Sequence, residues 1–95
     1  MTAAVRSERR ETFKIDLSGA FIRRTDLSNA NLKGADLSGA DCANVNFRGA
    51  NLQDAILDGT NLKGADLTGA RNLTRAQIER AIIDDQTILP SDLAG

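Results

Sequence analysis

Ala35-Asp36-Leu37-Ser38-Gly39, Ala50-Asn51-Leu52-Gln53-Asp54 and Ala65-Asp66-Leu67-Thr68-Gly69 are copies of one five-residue pattern, which extends from them without a gap over residues 15–70. The internal glycines share one register: Gly19, Gly34, Gly39, Gly49, Gly59, Gly64 and Gly69 stand multiples of five residues apart. A short internal period is read before any other feature, because it dictates the architecture. The central column is Leu17, Ile22, Leu27, Leu32, Leu37, Cys42, Phe47, Leu52, Leu57, Leu62 and Leu67, apolar throughout. Two residues before each of these, and again at Ala70, stands a small or β-branched residue, Ala in eight of the twelve cases from Ile15 to Ala70. The residue between the two columns is Asp or Asn in nine of eleven repeats, with Phe21 and Ile56 as the exceptions.

Apolar residues two apart with a polar one between them put both apolar side chains on one side of an extended segment. The second of the two residues that follow is Gly seven times and otherwise Asn29, Asn44, Asp54 or Arg24. All but Arg24 tolerate left-handed or turn angles. The chain therefore makes a very short strand, turns a corner and repeats. A helical face recurs every 3.6 residues and cannot hold a strict period of five. What remains is a solenoid whose coils stack through backbone hydrogen bonds about 4.8 Å apart.

These runs resemble the A(D/N)LXX motif of the pentapeptide repeat family, over residues 15–70. The resemblance implies an all-β solenoid, a right-handed quadrilateral β-helix with four repeats per coil. Eleven repeats then make nearly three coils, with the Leu column filling the centre and the Ala column beside it. Stacked neighbours are twenty residues apart: Asp16 over Asp36, Asp26 over Asn46 over Asp66, Asn31 over Asn51.

The chain reads as one small domain in three parts: an N-terminal arm or cap at 1–14, the β-helix at 15–72, and a C-terminal capping helix with its tail at 73–95. Thr74 and Gln77 form a capping box, and Leu73 and Ile78 the hydrophobic staple of a helix expected from about 75 to 83. Ile78, Ala81 and Ile82 would share its inner face. Residues 84–90 are expected to run extended into Pro90, which ends a regular ladder. The first fourteen residues carry Arg6, Glu8, Arg9, Arg10, Glu11 and Lys14. They read either as a charged arm or as a segment folding over the first coil through Phe13.

The chemical inventory is sparse. There is no His, Tyr or Trp, which removes the commonest general base and neutral metal ligand. Cys42 is the one cysteine and sits in the core column, so it reads as a packing residue. No catalytic, cofactor-binding or metal-binding residues are assigned. Polar columns on separate outer faces do not converge as a calcium site requires. The net charge is −1, and no apolar run approaches membrane-spanning length. The first ten residues run quickly into charge and do not resemble a signal peptide, so the expected location is cytoplasmic.

Phe21 and Ile56 break the polar outer column. Either the terminal segments cover them, or, with Arg23 and Arg24, they form a contact patch for a partner or a second copy. The expected function is a non-enzymatic protein-interaction or scaffold module, a monomer or weak homodimer with an unidentified protein partner and no nucleic acid, membrane or cofactor. The alternative is a DNA-mimicking gyrase inhibitor or protection protein, as some members of the family are. Residues 15–70 hold seven acids (Asp16, Asp26, Asp36, Asp41, Asp54, Asp58, Asp66) and five bases (Arg23, Arg24, Lys33, Arg48, Lys63), which gives −2. Duplex DNA of the height of three coils would carry about eight negative charges. The gyrase-protecting relatives are longer and dimeric, so the chain departs from them in length and in charge.

Overall fold

The structure, a computed structural model, describes residues 14–94. The extended segments are so short that each contributes a single bridging residue. Ten parallel bridges connect them, and eight join residues twenty apart. The bridges group into four ladders: Asp16–Asp36–Ile56; Phe21–Asp41–Asn61–Ile82; Asp26–Asn46–Asp66–Ile88; and Asn31–Asn51–Arg71. One circuit of the chain is thus four pentapeptides, one per ladder, and the expected stacking of Asp16 on Asp36, Asp26 on Asn46 on Asp66, and Asn31 on Asn51 is what the backbone makes.

Each circuit bonds to the next in both directions. The Leu17 N–H donates to the Asp36 carbonyl at 2.8 Å, and the Asp36 N–H donates back to Ile15 at 2.9 Å. The corner between ladders is closed by a short turn, such as Ala20 N–H to Leu17 O at 3.1 Å. Its third residue lies in the left-handed region: Gly19 has φ 68°, and Asn29, Asn44, Asp54 and Arg24 adopt φ near 60°. A positive φ at that place is what a type II turn requires, and it explains the Gly, Asn and Asp at this register.

The apolar columns meet along the axis. Leu37, Cys42, Val45, Phe47, Leu52, Leu57, Leu62 and Leu67 are all but inaccessible, with Ala35, Ala40, Ala50, Ala55 and Ala65 beside them. Complete burial of a Leu or Phe side chain is worth about 1.5–3 kcal/mol, so the fold rests on this column. Leu17, Ile22 and Leu27 are only half-buried, although they belong to the same column. They are the first three column residues of the first described circuit, which among the described residues has a bonded circuit on one side only; Leu32, the fourth and furthest along the rising chain, is buried. Thr60 replaces Ala in the inner column and is buried; its hydroxyl donates to the Leu37 carbonyl at 2.6 Å.

Helix α1 spans Arg75–Arg80, shorter than the 75–83 expected. Thr74 is its N-cap and Gln77 completes the capping box; Leu73 and Ile78 both join the buried cluster. The expectation for Ile82 is overturned. Its N–H donates to Thr60 O at 2.8 Å and its carbonyl accepts from Leu62 N–H at 2.7 Å, so it rejoins a ladder instead of extending the helix. Nor do residues 84–90 run straight: Asp84 to Thr87 turn, and Ile88 bridges to Asp66 before Pro90. Ladder bonding wins because it satisfies the open N–H and C=O groups of the circuit beneath. Apart from Lys14, the expected arm or cap at 1–14 lies outside the described residues.

Close approach of a neighbouring side chain sets a second demand at some corner glycines. A Cβ at Gly49 (φ 70°) would collide with Asn29 Oδ1, whereas one at Gly39 would meet nothing within 4 Å. Left-handed angles cost an L residue about 1–2 kcal/mol. Gly39→Ala is therefore expected to lower stability by about that amount. Gly49→Ala should cost about 1 kcal/mol more, because the Asn29 amide must be displaced. Urea denaturation of the two variants checks the difference, and equal losses would show that the Asn29 contact has no weight.

Candidate functional site

The ladder carboxylates and amides bond mainly their own surroundings. Asp16, Asp26, Asp36, Asn46 and Asp66 each accept the backbone N–H two residues on, at 2.9–3.0 Å. The Ser18 and Ser38 hydroxyls close on the same carboxylates. Such local bonds hold short polar side chains at the corners. Along the ladders, Asn61 Nδ2 donates to Asp41 Oδ1 at 3.2 Å and Asn72 Nδ2 to Asn51 Oδ1 at 3.0 Å. Among the described residues three ion pairs are present: Arg23–Asp41 at 2.8 Å and Arg48–Asp66 at 3.1 Å between circuits, and Arg80–Asp58 at 3.4 Å between α1 and the coil. All are exposed, and such pairs are worth little. Among the described residues no group of three or more Cys, Asp or Glu side chains gathers as a metal site would need.

The polar network holds several carboxyls below their ordinary range. Hydrogen bonds from Ser18 do so for Asp16, and from Ser28 for Asp26. Burial pushes Asp41 upward, but the Ala43 N–H, Arg23 and Asn61 together outweigh it. For Asp66 the Thr68 hydroxyl acts most strongly, with the Thr68 N–H and Arg48 helping it against burial. Cys42 is buried, and its thiol is pushed up to about 12 by burial and by the charge of Asp41. A thiolate is the nucleophilic form, so Cys42 acts as packing.

The four residues expected as a contact patch are not brought together as one surface. Phe21 projects from the second ladder, 86% exposed, above Asp41. Arg23 and Arg24 lie at the corner that follows it. Ile56 ends the first ladder above Asp36 and is 41% exposed. It lines a shallow recess with Ala55, Asp58, Ala76, Gln77 and Arg80, so α1 stands where a further ladder residue would otherwise lie. That accounts for an apolar residue at position 56, a reason that depends on the helix and is not contained in the repeat. Among the described residues Phe21 has no such account, and the N-terminal segment expected as its alternative cover lies outside them. At the far end Ile82, Ile83 and Ile88 are also exposed, and sequence reasoning did not single out this group as a surface.

Gln77 does more than its capping role suggests. Its Oε1 accepts from Thr74 N–H at 2.8 Å, and its Nε2 donates to the Leu52 and Ala55 carbonyls at 2.8 and 2.9 Å. One amide thus starts the helix and ties it to the coil below.

The pentapeptide repeats family model matches residues 14–41 and 46–85 in 8 copies, so the chain belongs to the pentapeptide repeat family, whose fold is the right-handed quadrilateral β-helix. A pentapeptide repeat protein from the cyanobacterium Cyanothece 51142 is 34% identical, with a TM-score of 0.71 over 81% of this chain and 52% of its own. This chain spans about half the length of that relative. A pentapeptide repeat protein from Nostoc Pcc 7120 is 29% identical, with a TM-score of 0.33 over 94% of this chain and 85% of that one. One from the Arabidopsis thaliana thylakoid lumen is 24% identical, with a TM-score of 0.31 over 77% and 57%. No curated protein matches the chain.

Two outcomes are expected from this geometry. Gln77→Glu keeps the capping acceptor but turns an oxygen toward the Leu52 and Ala55 carbonyls; it should cost about 2–3 kcal/mol at neutral pH by urea denaturation. An unchanged midpoint would remove Gln77 as the tie. Second, Asp16, Asp26, Asp41 and Asp66 bind protons less readily folded than unfolded. Their contribution is present above the unfolded value of about 4 and is lost as pH falls through the lower folded values. Thermal melts should show a falling Tm below about pH 4; a Tm rising on acidification would contradict the assignment.

Proposed function

We propose that the chain is a non-enzymatic protein-interaction or scaffold module: a β-helix of nearly three coils over residues 15–72, closed by α1 and the tail at 73–95. The observation that carries this reading is where the polar side chains go. The ladder carboxylates and amides are engaged with neighbouring backbone and side chains, and among the described residues no buried side-chain polar atom lacks a partner. Catalysis needs convergent groups held ready for a substrate; here such groups are occupied in holding the corners. What faces outward is a rigid set of flat ladders with isolated apolar and cationic side chains, the equipment of recognition.

The acids are also distributed against DNA mimicry. Asp16 and Asp36 share one ladder and Asp26 and Asp66 another, while Asp41, Asp58 and Asp66 are paired with arginines. The test reconstitutes the purified full chain with binding partners first identified by proximity labelling in its native cells. A stoichiometric complex, with no turnover on ester, phosphoester and peptide substrates, is the expected result. Inhibition of gyrase supercoiling at concentrations comparable with the enzyme would overturn it in favour of the DNA mimic.

A further inference from the structure

Two neighbouring residues in the first described circuit break the rules that the other repeats obey. Phe21 stands where a ladder takes Asp or Asn, with 86% of its surface exposed. Unlike Ile56, it is not among the residues that line the recess beside α1. Three residues on, Arg24 occupies the left-handed corner position at φ 59°, where the other described residues with positive φ are Gly, Asn or Asp. Among the described residues neither choice serves the fold. An exposed Phe adds nothing to the core, and a left-handed Arg is strained. Local violations of this kind concentrate at functional positions.

The chemistry around them is consistent. Arg23 is oriented by Asp41: its Nε donates to Asp41 Oδ2 at 2.8 Å, yet the side chain remains 62% exposed. A guanidinium has five donors in a planar fork, so the outer edge of Arg23 stays available to a carboxylate. Among the described residues Arg24 makes no ion pair. An exposed aromatic beside two arginines has the composition of an interface hot spot.

Resting on the interaction-module reading, we propose that Phe21, Arg23 and Arg24 form the binding site for an acidic protein segment, Phe21 taking an apolar side chain and the two guanidiniums its carboxylates. Extended polyphosphate fits worse. It has no apolar group to set against Phe21, and being charged at every unit it could not avoid Asp16 and Asp36 on one neighbouring ladder or Asp26 and Asp66 on the other, whereas a protein segment can place its few carboxylates at the two arginines alone.

The full chain and its Phe21→Asn and Arg24→Gly variants, which restore the residue types of the other repeats, provide the test. Because these side chains are not held for folding, Tm should be unchanged for Phe21→Asn and rise by about 4 °C for Arg24→Gly. A fall in either would assign the corner to stability and overturn the proposal. Backbone amide NMR then follows titration with a synthetic peptide alternating Glu and Leu, one alternating Gln and Leu, and vesicles of equimolar phosphatidylcholine and phosphatidylserine. The Glu–Leu peptide should shift residues 20–25 and 41–44, and either substitution should weaken it about tenfold. Equal binding of the Gln–Leu peptide, or vesicle binding that alone depends on Phe21 and Arg24, overturns the acidic-segment assignment. Shifts confined to another ladder overturn this corner but leave the interaction-module reading standing; enzymatic turnover or gyrase inhibition would instead strike that reading.

Discussion

A parallel ladder that pairs residues twenty apart exists here only because the chain turns through a left-handed residue every five positions. Each short extended piece carries one bridging residue, too little to hold a direction by itself. The corner therefore does the orienting. It folds back through one hydrogen bond, as from Ala35 N–H to Leu32 O at 3.0 Å, and delivers the next bridging residue to the adjacent ladder. Everything else follows from that repeat. The columns at Leu37 and Ala35 meet on the axis because every corner turns the same way. The Asp and Asn side chains bond the corner N–H groups because the corner presents them two residues on.

This dependence explains what could be read in the residues and what could not. The core column, the four-repeat circuit and the stacking of Asp26, Asn46 and Asp66 are consequences of local rules repeated without interruption. Periodicity carries them, and the backbone bridges join residues twenty apart. The end of the helix obeys no period. Ile82 pairs with Asn61 at a separation of 21 and Ile88 with Asp66 at 22, because α1 and the Asp84 turn replace regular corners. An inward helical face fitted Ile82 equally well in sequence. The decision came from the open backbone groups at Thr60 and Leu62, which belong to residues some twenty positions earlier. Half-burial of Leu17, Ile22 and Leu27 is likewise a matter of place in the stack and not of residue type.

The candidate surface was legible in part for the same reason. Phe21 and Ile56 stood out as departures from the polar column, and the twenty-residue stacking puts them on different ladders, but sequence could not show what surrounds each of them. Ile56 faces the recess under α1, beside Ala76 and Arg80, and its apolar side chain is partly explained there. Phe21 is left without a fold-based cause. Gln77 was legible only as a capping residue. Its second role, donating to Leu52 and Ala55, requires knowing which coil lies beneath the helix.

The repeat also limits where function can be written. Two of its five positions face the axis, one is the ladder residue bonded to the corner, and one needs a positive φ. That leaves the first corner residue, occupied by Ser18, Arg23, Ser28, Lys33, Ser38, Ala43, Arg48, Gln53, Asp58, Lys63 and Thr68, as the position with the fewest demands on it. The variety of this column, against the uniformity of the Leu column, is what such freedom produces. Arg23 is drawn from it at no conformational cost. Phe21 and Arg24 are not, since they occupy positions where the fold prefers something else. A surface written only in the free column would carry charge and hydroxyls but no aromatic anchor. An anchor requires giving up a ladder residue, and the first described circuit loses least by it: among the described residues Phe21 has a bonded ladder neighbour on one side only, Asp41, whereas Asp41 itself has one on each.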